Sequence, residues 1–163
     1  MRLARPLNRK DCYLMTTVEQ NTEIEDLLRS TLAAHSSLYL ATSGDSGPWV
    51  NGVYFAETGM FTLALALEQR GRTLAAIRQV PLVAVIVATG SPGDPFLQAQ
   101  ATAEVVTGDA AQEVRRVLLA KVPAVESFLA APIETVTLRV DKWRITDIHN
   151  GWFPGRELAA LQG

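Results

Sequence analysis

The spacing of apolar positions divides the chain into helices and strands before any single residue is considered. Thr22 followed by Glu25 has the spacing of a capping box, and Ile24, Leu27, Leu28, Leu32 and His35 then return to one face at helical period, which predicts a first helix over about 22–35. Beyond it the period shortens. Leu38–Thr42, Trp49–Phe55 and Met60–Leu67 are short β-branched, aromatic and apolar runs separated by Gly44-Asp45-Ser46-Gly47 and Glu57-Thr58-Gly59, so a three-strand meander is expected with turns at those two clusters. Arg72 to Gln79 sets Leu74 and Ile77 on one side of a short helix. It must stop before Pro81, because proline pushes the residue preceding it out of the α region.

Further along, Leu82–Thr89 and Phe96–Val106 flank the breaker cluster Gly90-Ser91-Pro92-Gly93-Asp94-Pro95 and read as the arms of a hairpin with a long loop. Asp109 and Gln112 open another helix whose apolar face is Val114, Val117, Leu118 and Val122; Pro123 breaks it, and Val125, Phe128 and Leu129 suggest a further turn. Val136, Leu138 and Val140 alternate with Thr135, Thr137 and Arg139 in a last strand extended through Trp143 and Ile145 to Ile148. Six strands joined mainly by hairpins, with helices between the third and fourth and between the fifth and sixth, predict a mainly β (α+β) fold. An antiparallel barrel with flanking helices suits that order better than a Rossmann sheet. Residues 1–20 read as a flexible tail and 21–163 as a single domain.

Composition narrows the function classes. At 163 residues and 48% hydrophobic content the chain can bury one core without disulfides or a structural metal, and its single cysteine, Cys12, excludes an internal disulfide framework. A net charge of −2 supplies no global basic field, which argues against a nucleic-acid binder. The longest uninterrupted apolar run is Leu82 to Ala88, far short of the roughly 20 residues of a membrane span. Arg2, Arg5, Arg9 and Lys10 are followed by no apolar stretch of secretory type, so a cytoplasmic location is the default expectation.

Candidate chemistry is sparse. Gly44-Asp45-Ser46-Gly47-Pro48 resembles the nucleophile segment of chymotrypsin-like proteases, but it lies too early in the chain and in the wrong context for a triad, and reads as a hairpin turn. His35 and His149 have no partner at metal-ligand spacing, although His35 could serve as an axial haem ligand. No catalytic acid, base or metal site stands out. The one charge anomaly is Gln69 to Gly93, which contains Arg70, Arg72 and Arg78 and no acidic residue. It coincides with the helix opened by Gly71, Arg72 and Thr73, where free N–H groups, guanidinium forks and a hydroxyl suit a phosphate. Trp143, Trp152 and Phe153, beside Gly151 and Pro154, are candidates to cover a pocket or a partner, or to pack in the core.

The order Leu38-Tyr-Leu-Ala-Thr-Ser, Gly44-Asp-Ser-Gly-Pro48, Trp49-Val-Asn-Gly-Val-Tyr-Phe, Gly71-Arg-Thr-Leu-Ala-Ala-Ile-Arg-Gln-Val-Pro81 and Leu82-Val-Ala-Val-Ile-Val resembles the pyridoxamine 5′-phosphate oxidase-like split β-barrel family. Ala131-Pro132, Thr146-Asp147 and the Gly151–Arg156 ending resemble one of its small branches, and the likeness spans about residues 24–158. It implies a six-stranded split barrel, a homodimer, and flavin mononucleotide (FMN) at the subunit interface. The strand Asn51–Phe55, with Asn51 and Val53, would run beside the isoalloxazine, while Gly71, Arg72 and Thr73 match the phosphate positions, with Arg70 of the cationic stretch beside them. Two positions that are basic in the oxidase are Asn51 and Ala56 in this chain, which argues against pyridoxamine phosphate as substrate. The implied activity is that of an oxidoreductase or flavin reductase on a small molecule. Its rivals are a haem-handling barrel using His35 or His149, and a cofactor-free interaction module.

Overall fold

The computed structural model describes the backbone of residues 9–161 and the side chains of 19–161; Cys12, and residues 1–8 of the expected tail, lie outside those side chains or that backbone. Among the described residues the order is α1 (Arg9–Ala34), β1 (Ser37–Thr42), β2 (Trp49–Gly59), β3 (Thr62–Glu68), α2 (Arg72–Gln79), β4 (Leu82–Val87), β5 (Phe96–Val106) and α3 (Gly108–Lys121). A short 3₁₀ turn (Pro123–Val125), α4 (Glu126–Leu129), β6 (Ile133–Asp147) and β7 (Trp152–Ala159) complete it. The strands lie in the order β3-β2-β1-β4-β5-β6, and pairing of β3 with β6 closes them into an antiparallel six-stranded barrel. This is the expected architecture with one strand more.

The extra strand exists because β6 is shared. Its first half, Ile133–Arg139, pairs with β3, whereas Lys142–Asp147 leaves the barrel seam and pairs with β7. Opposite Gln100 and Ala101 the register skips Asp141. That extra residue resets the inward face from Val136, Leu138 and Val140 to Trp143 and Ile145, all buried. The Trp143 ring is wholly enclosed and its Nε1 donates to the Met60 carbonyl at 2.6 Å, fixing the split against the β2–β3 turn.

Three boundaries differ from the sequence expectation. α1 begins at Arg9, not near residue 22, although the core it enters is the expected one of Ile24, Leu28 and Leu32. The β2–β3 turn falls at Met60 and Phe61, because Glu57–Gly59 stays in the ladder. Trp152 begins the seventh strand and is buried, while Phe153 is 75% exposed.

Two apolar layers result. Alternate residues of all six barrel strands fill the interior, capped by α1 and by Leu74 and Ile77 of α2. A second layer lies outside the barrel, where Ala56, Ala64 and Ala66 leave room for Val114 and Leu118 of α3, closed by Val122, Val125 and Ile133. Small residues on the strands let the helix approach closely, and the alternation puts them all on one face.

Candidate functional site

The sheet and α2 meet at one end of the barrel. β1 runs antiparallel to β2 with Leu40 opposite Asn51 and Thr42 opposite Trp49, so the β1–β2 loop and the start of β2 project from the same rim. α2 lies across that rim. Its N-cap is Gly71, which supplies no side-chain cap, and its first turn carries no acid, so the backbone donors that open a helix are left for another acceptor. The helix stops as expected before Pro81, with the Val80 N–H donating to the Ala76 carbonyl at 2.8 Å.

A cleft of about 270 Å³ separates the β1–β2 loop from α2, lined on one wall by Gly44–Gly47 and on the other by Arg70, Gly71, Arg72 and Gln79. The loop folds as a tight turn, the Gly47 N–H donating to the Gly44 carbonyl at 2.8 Å, and Gly47 has φ of +83°, a conformation that favours glycine. Two ties hold it to α2. Arg72 Nη2 donates to the Ser46 carbonyl at 2.5 Å, and the Asp45 N–H donates to Gln79 Oε1 at 2.9 Å. The Arg72 guanidinium also stacks over the Trp49 indole, 4.4 Å from the ring centre.

Of the residues singled out from the sequence, Arg70 and Arg72 line this cleft; Asn51 and Thr73 are not among its lining residues, Thr73 being buried and accepting a 3.3 Å hydrogen bond from Asn51 Nδ2. Val53 does not join them: its side chain is part of the barrel core, so that only its backbone follows β2. Arg78 is turned away and pairs with Glu134 at 3.5 Å. Ala56 lies buried beneath α3, where a lysine would have to bury its charge, so the loss of the basic residue follows from the packing of that helix.

Two acids qualify the cationic character read from residues 69–93. The backbone N–H of Gly71 donates to the Glu68 carbonyl at 3.0 Å, and a Cβ on Gly71 would sit 3.3 Å from Glu68 Oε2. The carboxylate that ends β3 thus borders the helix start. Asp45 stands on the loop wall. The remaining donors at the cleft, two guanidiniums and the helix N–H groups, suit one phosphate. Trp49, Ser46 and Gln79 were not anticipated as site residues; only the glycine-rich loop ahead of Trp49 hinted at a close approach.

The histidines stand elsewhere. His35 Nδ1 lies 2.7 Å from the Thr31 carbonyl, and its Nε2 is buried with no hydrogen-bond partner among the described residues. His149, in the β6–β7 turn, sits near Gly93 of the β4–β5 loop.

No protein-family model and no curated protein sequence matches the chain. Solved structures do. A haem-binding protein from Mycobacterium smegmatis superposes with a TM-score of 0.67 at 20% identity over 82% of this chain, which spans 56% of that protein's length. A candidate pyridoxamine 5′-phosphate oxidase from Listeria innocua gives 0.63 at 19% identity, covering 76% of this chain and 98% of that one. An FAD-binding protein from Mesorhizobium loti gives 0.57 at 18%, covering 71% and 88%. The fold is therefore that of the pyridoxamine 5′-phosphate oxidase-like split barrels.

Proposed function

We propose that residues 21–163 form a flavin-binding domain that takes FMN, works as a homodimer, and serves as an oxidoreductase or flavin reductase on a small molecule. The observation that carries the reading is the cleft at the start of α2, lined by Arg70 and Arg72 where the helix N–H groups have no side-chain cap. Solved neighbours that include an oxidase-type protein and an FAD-binding protein support a flavin. A bound flavin would supply the hydride chemistry, so the chain needs only to bind and orient it. Arg72, already held by Trp49 and Ser46, is pre-organised to meet the phosphate, and Thr73 and Asn51 would fix the approach along β2.

An exposed apolar sheet face supports the dimer. On the outer side of β1, β2 and β4, Tyr39, Val50, Tyr54 and Leu82 are each 45% exposed or more, and beyond Leu82 and Ala84 the surface turns charged at Asp141, Lys142, Arg144 and Glu157. A second copy would cover such a patch. A monomeric mass in solution at micromolar concentration would remove this part of the proposal. Among the described residues no helix is long and apolar enough to cross a membrane, and the reading places the protein in the cytoplasm.

A second reading is haem binding, favoured by the Mycobacterium smegmatis neighbour and by the buried, unpartnered Nε2 of His35. Absorption of the freshly purified protein, before and after incubation with each cofactor, separates the two. Flavin bands support the first reading, a Soret band replaces it with the second, and a protein that takes up neither is an interaction module.

A further inference from the structure

A second pocket opens away from α2, between α1 and the β6–β7 hairpin. It encloses about 580 Å³ and is lined by Glu23, Asp26 and Leu27 of α1 and by Asn150, Trp152 and Arg156 of the hairpin, sharing no residue with the cleft at α2. Its polar groups are positioned but not spent. The Arg156 guanidinium lies over the Trp152 indole, 4.1 Å from the ring centre, and Trp152 itself is buried, so the cation rests on a fixed platform. Its one ion pair among the described residues, to Glu23 Oε2, spans 3.8 Å, too long for a hydrogen bond. Asn150 is held by the buried Asp147 carboxylate, which accepts from its backbone N–H at 3.3 Å and from its Nδ2 at 2.5 Å, and Asn150 Oδ1 is left as an acceptor. Asp26, three residues on from Glu23 and so on the same side of α1, is exposed, and its carboxylate has no partner among the described residues.

We propose that this pocket binds a small zwitterion, an α-amino acid with an apolar side chain, its carboxylate on Arg156 and its ammonium on Asp26 and Asn150 Oδ1. The charges decide the class. A simple anion gains Arg156 but stands among two carboxylates, and a simple cation gains those carboxylates but meets a guanidinium that already covers the indole face. A ligand carrying both signs on neighbouring atoms satisfies both sets, through charge-assisted hydrogen bonds of the stronger kind. Leu27, half-buried at the edge of the barrel core, and the rim of the Trp152 ring give its side chain an apolar wall. The volume falls within the range of about 300–1,000 Å³ common to small-molecule sites. The site is separate from the flavin reading and does not depend on it; a ligand held there bridges α1 to β7.

The test is a calorimetric titration of the full chain with three probes: L-leucine; 3-methylbutylamine, which is leucine without its carboxylate; and 4-methylpentanoate, which is leucine without its amine. Leucine binds at least about tenfold more tightly than either fragment. Asp26→Asn and Arg156→Gln each weaken leucine by about tenfold or more, and both leave the response to FMN as it is in the parent. Because Asp26 is exposed and unpaired, its variant keeps the parent's melting temperature when no ligand is present, so its loss of binding is not a loss of fold. Leucine also raises the melting temperature of the parent by mass action, and raises that of Asp26→Asn less. Failure of the parent to bind leucine, a fragment that binds as tightly as leucine, or an affinity that either substitution leaves unchanged overturns the proposal. None of these outcomes bears on the flavin reading, which has its own titration.

Discussion

Two helices, α2 and α3, are laid on the same barrel, and they close it in opposite ways. α3 seals its seat. Val114 and Leu118 fill the space over Ala56, Ala64 and Ala66, and at its far end Lys121 is pinned by the Glu57 carboxylate and the Leu32 carbonyl, with its ammonium 4.0 Å from the Phe55 ring centre. α2 buries Leu74 and Ile77 just as firmly but leaves its start and one flank facing a polar cleft. Both helices open without a side-chain cap, but α3 carries Asp109 in its first turn, whereas α2 has no acid there and sets Arg70 and Arg72 beside its start, the arrangement that suits an anion.

The contrast can be broken from either side. On the sealed side, Leu118→Ala should have the largest effect, about 2–5 kcal/mol lost in denaturant unfolding, since Leu118 is fully buried and its seat of alanines cannot collapse into the cavity. Lys121→Met should cost less, about 1–3 kcal/mol, because it strands the half-buried Glu57 carboxylate while keeping most of the side-chain packing. If Lys121→Met proved neutral, the ion pair would be no part of the seal.

A smaller effect is expected at β7, whose exposed Lys142–Glu157 pair spans 2.9 Å. The hydrogen bond from Lys142, reinforced by its charge, holds the Glu157 carboxyl below the usual carboxylate range. A group whose folded value is depressed stabilises the fold above its unfolded value, and that contribution fades as pH falls through the folded one. Lys142→Ala should therefore lower stability slightly near neutrality and not at all in strong acid, with the Glu157 titration, followed by NMR, moving upward.

Much of the fold was legible because it rests on periodicity. β5 and α2 have the ends expected of them, since Pro95 and Pro81 punctuate them by backbone sterics alone. β7 was missed for a physical reason: Trp152-Phe153-Pro154-Gly155 carries no alternation, and a strand containing proline and glycine is set by its partner, not by its own propensity. The parity change from Val140 to Trp143 did carry the signal of a bulge in β6. At the cleft, Arg70 and Arg72 were legible as a local charge anomaly, whereas Glu68, one residue outside the acid-free stretch, borders the helix start only because the β3–α2 turn folds it back. The ties through Ser46 and Gln79 join residues 26 and 34 positions apart, and no local pattern foretells such contacts.

The central claim is that a phosphate is held at the open end of α2, and Arg72→Glu tests it most directly. Arg72 is exposed and outside both apolar layers, so the variant should still fold cooperatively, at a cost of about 1–2 kcal/mol for the lost Ser46 hydrogen bond and Trp49 stacking. Titrated with FMN and followed by flavin fluorescence, it should bind at least about tenfold more weakly than the parent, because a carboxylate replaces the guanidinium that faces the phosphate. Equal affinity in a folded Arg72→Glu protein would place the phosphate elsewhere and contradict the account.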